Sequence, residues 1–441
     1  MASLKITGGT LLPMTDALAV VAGDVSIVDG RIAAVGAVDP AVRHDRVIDV
    51  AGALVLPGFI QTHVHLCQTL FRGLGDDLPL LAWLRRRVWP LEAAHDPRSL
   101  AASAQLAAAE LLLGGTTTVL TMETVHDTDA VFDALVPTGL RAVVGKCLMD
   151  AAEGAPPRLH EAAARGLAEA AALGRRWRGA ADGRLHAALA PRFAVSCSDE
   201  LLHGVAGVAA ETGLLVHSHA SEQRDEVAAV RARTGLGNIE YLGHVGLTGP
   251  RLCLAHCVWV DDADLDRLAG ADVKVLHCPG SNLKLGSGLA PVAELRHRGV
   301  SVSLGADGAA CNNRLDMFGE MRLAATLQSV RLGPGALTAR DAVWMATREG
   351  ARALGRADEL GQLAPGFLAD LVVLSPDAPH LQPPHDPYSA VVYAAQPSDV
   401  MLTVVGGRIV AERGALAALD LEAVRSAAAE ARRALVDRSG I

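Results

Sequence analysis

Two histidines one residue apart, His63 and His65, close the run Gly58-Phe-Ile-Gln-Thr-His-Val-His. Alternate residues of a strand point the same way, so this spacing presents both imidazoles to one metal ion. A bare His-x-His arises often from exposed or core histidines and carries little weight alone. Its company changes that. His219 and Glu222 lie in His217-Ser-His-Ala-Ser-Glu, His256 ends Leu254-Ala-His, and Asp307 lies in Leu304-Gly-Ala-Asp-Gly, each where an apolar run gives way to a turn. Hydrolysis of an aromatic C–N bond near neutral pH needs hydroxide, and a bound divalent cation lowers the pKa of its water toward ~7. In such chemistry Asp307 would accept the proton of the water and pass it to departing ammonia. Glu222 would protonate a ring nitrogen, and His256 would stabilise the tetrahedral oxygen. Acids also favour the first turn of a helix, but the spacing of Glu222 from His219 favours the catalytic role. His217 reads as a packed or supporting histidine, and His126, His186, His203 and His277 as structural.

These residues need a scaffold that gathers strand ends. Short Val- and Leu-rich runs, each followed by a helical pattern, recur over 54–60, 116–121, 141–145, 185–190, 214–218, 251–255, 273–276 and 301–306. Eight parallel strands with crossover helices close into a barrel, whose active sites lie at the C-terminal strand ends. The alternative is an open doubly wound sheet. Residues 98–113 read as an Ala/Leu-rich helix stopped by Gly114-Gly115, Ser198 as the cap of the next helix, and 316–331 as a further helix. Both chain ends differ from the middle. Val28-Asp-Gly-Arg-Ile and Val405-Gly-Gly-Arg-Ile are hairpin signals. The expectation is an α/β fold: a distorted (β/α)8 TIM barrel over 57–360, with a small β-sandwich domain built from 1–56 and 361–441, the last part ending in a helix.

Composition excludes other classes. Half of the 441 residues are apolar and a fifth charged, an ordinary globular balance that argues against disorder. A net charge of −9 argues against a nucleic-acid partner. No apolar run approaches the ~18 residues of a membrane span, and the first residues lack a secretory pattern. Seven cysteines without a Cys-x-x-Cys read as reduced thiols, hence an expected cytoplasmic location.

The motifs together resemble the amidohydrolase superfamily of metal-dependent hydrolases, within it the triazine-hydrolase and nucleobase-deaminase branch. The resemblance spans nearly the whole chain. It is carried by Leu56-Pro-Gly-Phe-Ile-Gln-Thr-His-Val-His, Gly114-Gly-Thr-Thr-Thr, the His217 and Asp307 motifs, and His277-Cys-Pro-Gly-Ser-Asn-Leu-Lys-Leu-Gly-Ser-Gly. It implies that His63, His65, His219 and Asp307 hold one divalent cation, zinc first and iron as the alternative, with His256 close by. A two-metal site would need a bridging lysine at the end of the fourth strand, where Ala190-Pro-Arg-Phe stands instead; Lys146 lies in the third.

The resemblance also points to the substrate, in two directions. Phe71-Arg-Gly-Leu-Gly-Asp-Asp-Leu-Pro-Leu, Trp83 and Trp89-Pro-Leu-Glu92 are similar to methylthioadenosine and S-adenosylhomocysteine deaminases, implying that Trp83 packs on the ligand and Glu92 binds ribose hydroxyls. Those enzymes carry Pro-His where this chain has Pro191-Arg192. Arg192 and Gln68 instead resemble the purine-holding residues of guanine deaminases. A buried guanidinium needs an oxygen-bearing ligand or an internal acid. The expected function is hydrolytic deamination of an amino-substituted nitrogen heterocycle, a purine or purine nucleoside. Release of chloride or an alkylamine from a triazine is the alternative within the family, and an inactive barrel used for binding the alternative outside it. By analogy with the family, a homodimer is expected.

Overall fold

The computed structural model describes residues 3–17 and 19–441. Its central sheet is wholly parallel. Numbered along the barrel, the strands are β1 (Phe59–His65), β2 (Thr116–Met122), β3 (Arg141–Leu148), β4 (Leu185–Pro191), β5 (Val216–Ala220), β6 (Leu252–His256), β7 (Lys274–His277) and β8 (Val302–Leu304), each paired with its neighbour in sequence order. Crossover helices cover the outside, so these strands read as continuous apolar runs. β1, β2, β3, β4, β6 and β7 send Ile60, Leu120, Val143, Ala188, Cys253 and Leu276 into one interior cluster, closed by Ala351, Leu354 and Leu360. Leu254, Val275 and Val302 face outward onto Leu265, Leu268 and Leu295 of the helices.

The barrel closes across an irregular seam. After β8 the two-residue strand Asp307–Gly308 pairs with Val64 and His65 of β1. Between them side chains replace the backbone ladder: Thr62 Oγ1 donates to Leu304 O at 3.0 Å, and Gln61 Oε1 accepts from Ala306 N at 3.2 Å. Gly305 is required by this approach, since a Cβ there would lie 2.5 Å from the carbonyl oxygen of His63.

The expected first strand, 54–60, is corrected to two strands in two sheets. Leu54–Pro57 belongs to the sheet built from the chain ends, and β1 begins at Phe59. Both are buried, so hydropathy runs through the switch at Pro57-Gly58 without a break. β5 lies two residues further along than its apolar run suggested, reaching Ala220 and carrying His217 and His219 inside the strand.

The end sheet runs from Ala415–Leu416 through Arg408–Glu412, Val400–Val405, Leu371–Leu374, Leu54–Pro57, Leu4–Leu11 and Val21–Val28 to Arg31–Gly36, with Arg46–Asp49 also beside Leu4–Leu11. Both hairpins form at the expected Asp-Gly and Gly-Gly turns, and the turns touch: a Cβ on Gly407 would lie 2.9 Å from Gly30 Cα. This sheet is tied to the barrel by a buried ion pair, Arg141 Nε to Asp370 Oδ2 at 2.9 Å. Helix Pro97–Leu113 is capped by Asp96, which accepts from Ser99 N at 2.7 Å, and Ser198 caps Asp199–Thr212 by accepting from Leu201 N at 3.1 Å. Helix Leu421–Ser439 packs Ala428, Ala431 and Leu435 into a cluster with Trp89, Leu91 and Ala102. Among the described residues no helix is long and apolar enough to cross a membrane. All seven cysteines are buried and unpaired.

Candidate active site

Four imidazoles converge at the C-terminal end of the barrel, and each is aimed by a hydrogen bond on its Nδ1. His65 Nδ1 donates to Met122 O at 2.8 Å, His219 Nδ1 to Arg192 O at 2.6 Å, and His256 Nδ1 to Asn282 Oδ1 at 2.8 Å. For His63 the chain is one link longer. His217 Nδ1 donates to Thr121 O at 3.2 Å, which leaves its Nε2 to accept from His63 Nδ1 at 2.6 Å. Because carbonyl and amide oxygens only accept, His63, His65 and His219 each turn an Nε2 lone pair toward the same point, and His256 turns its Nε2 there as well. The buried Nε2 atoms of His63 and His256 have no hydrogen-bond partner.

Asp307 completes the set. Its Oδ1 lies 3.3 Å from His63 Nε2 and 3.2 Å from His65 Nε2, and its Oδ2 accepts from Ser281 Oγ at 2.7 Å. Donors about 2.1 Å from a tetrahedral cation stand about 3.4 Å apart, so these separations suit a shared ion. The donor atoms of His63, His65 and His219 lie within 4.8 Å of one another, as do those of His63, His256 and Asp307. Burial pushes His63 down to about 4 and His219 well below the usual imidazole range, so both are neutral and ready to ligate. Burial opposes ionisation of Asp307, but the facing His63 and His65 outweigh it and hold the carboxyl well below the usual range. The residues fit a divalent cation.

Glu222 and His256 stand beside this point, Oε2 to Nε2 at 3.6 Å. Burial raises Glu222 to about 7, so it retains a proton near neutrality. His256 goes the other way: burial disfavours its charged form, yet Glu222 and Asp307 raise it above the usual value. The backbone is strained where these groups emerge. Ser221, His256, Cys257 and Asp307 all have left-handed φ, from 44° to 73°, a conformation that persists where surrounding structure enforces it.

Several supporting residues were not singled out from sequence. Glu226 accepts from Glu222 N at 2.7 Å, Ser287 Oγ donates to Glu222 Oε1 at 3.2 Å, and Glu123 accepts from Cys67 N at 2.9 Å in the turn after His65. Ser281 and Asn282 sit in the short helix Pro279–Lys284, which Pro279 starts; the His277-Cys-Pro-Gly-Ser-Asn motif was the available signal. Lys146 is buried on β3 and bound to Glu161 Oε2 at 2.8 Å, away from any bridging position.

The pocket over the site is lined by Gln68, Arg192, Trp83, Leu80, Leu84 and Phe193, among others. Its free volume is about 20 Å³, room for about one water, and Leu80, Trp83 and Leu84 form an apolar collar on it. Trp83 is buried in that collar with Nε1 unpartnered. Glu92 and Arg192, expected to meet a diol and an oxo group, have each other: Arg192 Nη1 to Glu92 Oε2 at 2.6 Å and Nη2 to Oε1 at 3.2 Å. The internal acid that Arg192 requires is therefore Glu92, and the pair is buried with Arg192 in the pocket lining. A larger cleft, about 990 Å³, lies between the end sheet and helix Leu421–Ser439, with no histidine or cysteine in its lining. The donor set, rather than volume, marks the site.

The model of the Amidohydrolase family matches residues 54–410, and the chain belongs to that family. It is 43% identical over 433 residues to the 5'-deoxyadenosine deaminase of Methanothermobacter thermautotrophicus, covering 97% of this chain and 98% of the relative. It is 42% identical over 419 residues to the 5-methylthioadenosine/S-adenosylhomocysteine deaminase of Symbiobacterium thermophilum, covering 93% and 94%. The crystal structure of an adenosine deaminase from Xanthomonas campestris with bound zinc superposes with a TM-score of 0.92 at 33% identity, over 98% of both chains.

Proposed function

We propose that this chain is a zinc-dependent aminohydrolase that replaces the amino group of an aminopurine nucleoside by oxygen and releases ammonia. The observation that carries the reading is the convergence of four Nε2 atoms and the Asp307 carboxylate beside a carboxyl group that holds its proton near neutrality. His63, His65, His219 and Asp307 would hold the ion. A divalent cation bound there supplies Lewis acidity that makes water a nucleophile near neutral pH. Glu222 donates its proton to the ring nitrogen beside the carbon under attack, so negative charge does not build on the ring. His256, faced by the Asp307 carboxylate, carries a proton on Nε2 and hydrogen-bonds through it to the oxygen of the tetrahedral carbon, keeping the proton throughout. Asp307 takes the proton of the attacking water and delivers it to the leaving amine; as ammonia departs the C=O bond forms, the ring nitrogen keeps its proton, and the hydroxyl proton returns to Glu222. The collar of Leu80, Trp83 and Leu84 excludes bulk water and packs on the flat base. The adenosine-type relatives favour a nucleoside over a free base, and the zinc in the Xanthomonas structure favours that metal.

The test is ammonia release from 5'-deoxyadenosine, methylthioadenosine, S-adenosylhomocysteine, adenosine and guanine by protein loaded with one zinc per chain. The expected result is turnover of the adenosine-type nucleosides ahead of guanine. A loaded protein that releases ammonia from none of them contradicts the proposal.

A further inference from the structure

One buried acid has no part in the chemistry above. Glu320, on the helix Met317–Leu332, is buried, and burial raises its carboxyl to about 7, with Asp316 and Asp307 pushing the same way. A carboxylate kept among acids away from water is costly, and its bonds show what it holds. Oε2 accepts from Gly280 N at 2.9 Å, and Oε1 from Asn312 Nδ2 at 2.8 Å.

Both bonds reach segments that feed the site. Gly280 is the second residue of the short helix Pro279–Lys284, whose own cap residue, Cys278, makes no side-chain bond to it. The first amides of a helix lack an internal acceptor, and a capping side chain normally serves the second or third of them. Glu320 serves it from 40 residues away. The next two residues of that helix touch the reacting groups: Ser281 Oγ donates to Asp307 Oδ2 at 2.7 Å, and Asn282 Oδ1 accepts from His256 Nδ1 at 2.8 Å. Asn312 carries the second bond onward, since the same Nδ2 donates at 2.7 Å to the carbonyl of Ala306, the residue before Asp307. Glycine at 280 lets the three groups meet. A Cβ there would lie 2.5 Å from Glu320 Oε1 and 2.8 Å from Asn312 Nδ2.

We propose that Glu320 is a positioning residue: by capping Pro279–Lys284 from a distant helix, it sets the aim of Asn282 on His256 and of Ser281 on Asp307. This rests on the aminohydrolase reading above and adds a residue that neither lines the pocket nor faces the cation site. Both of its partners are donors, so both carboxylate oxygens are used. Leucine offers no acceptor, and glutamine only one, so glutamine must set its NH2 against one of the two donors.

The test follows Glu320→Leu in two backgrounds, wild type and Ser281→Ala/Asn282→Ala, at matched zinc content. In wild type, kcat for an adenosine-type nucleoside is expected to fall about 10- to 100-fold, the range for losing a group that orients a site residue, with KM within about twofold. In the second background the helix no longer bonds His256 or Asp307, and the same change is expected to cost less than about threefold. Glu320→Gln is expected to lose less than Glu320→Leu, and it carries the comparison if the leucine variant holds no zinc. A readout independent of turnover is the NMR signal of the His256 Nδ1 proton in isotope-labelled protein, identified by its loss in Asn282→Ala. Glu320→Leu is expected to shift it and to leave in place the Nδ1 protons of His65 and His219, which bond to backbone carbonyls. An equal loss in both backgrounds, a change in KM alone, or an unmoved His256 proton overturns the proposal. A protein that shows the shift but releases ammonia from no nucleoside refutes the aminohydrolase reading and leaves the positioning of His256 standing.

Discussion

Replacing His217 by leucine should weaken metal binding although His217 does not face the cation site. In the wild type, Thr121 O fixes the proton of His217 on Nδ1, so Nε2 accepts the Nδ1 proton of His63. Without that acceptor His63, which is 0% exposed, has two choices. It can keep its tautomer with a buried N–H unsatisfied, at a cost of ~1–3 kcal/mol. Otherwise it can move the proton to Nε2, where Asp307 Oδ1 lies 3.3 Å away and accepts it. The second choice relieves the metal-free protein, but cation binding must reverse it. The cost therefore falls on binding, and ~1–3 kcal/mol corresponds to about 5- to 150-fold weaker affinity. Competition with a chromogenic chelator measures this on stripped protein. His217→Gln restores an acceptor and should recover most of the affinity. Wild-type affinity in His217→Leu would refute the tautomer argument.

Three further outcomes follow from the geometry. Glu222→Gln should lower kcat by about 10²- to 10⁴-fold while binding of nucleoside, followed by calorimetry, persists; retained turnover contradicts the role of Glu222. The same variant should change the pH dependence of metal-free stability. The folded state holds the Glu222 proton up to about 7, whereas the unfolded chain releases it near 4.5, so wild type loses stability as pH rises across that window. The variant should therefore gain on wild type by about 3 kcal/mol between pH 4.5 and 8 in urea unfolding, and a constant difference rejects the shift. Arg141→Leu should destabilise the protein by about 3–5 kcal/mol, because it removes the guanidinium that neutralises the buried Asp370 and leaves it the Gly406 N donor at 2.7 Å; urea unfolding that matches wild type shows that the pair does not hold sheet to barrel.

The chemistry-bearing residues were legible because each sits in a short motif where a strand ends, and barrel topology brings such ends together. His63, His65, His219, Glu222, His256 and Asp307 need only their own strand to be placed. The cap Ser198 acts within a few residues and could be read locally. What sequence could not supply is pairing across the fold. Glu92 and Arg192 are 100 positions apart, and each alone reads as a ligand contact; their union appears only when the segment after β1 lies against the end of β4. The split of 54–60 was hidden because a strand of the end sheet and a barrel strand are both buried, so Leu54 to Ile60 shows no polar break. Ser281, Asn282 and Ser287 lie in the quoted His277-Cys-Pro-Gly-Ser-Asn-Leu-Lys-Leu-Gly-Ser-Gly motif, but their roles were hidden for another reason: a hydroxyl or amide that orients a catalytic group looks like any loop residue.

The most direct test of the account is anomalous diffraction at the zinc edge from crystals of the zinc-loaded protein. A single peak is predicted, at about 2.0–2.2 Å from Nε2 of His63, His65 and His219 and from a carboxylate oxygen of Asp307. A peak elsewhere, two peaks, or no peak in crystals of fully active protein would contradict it.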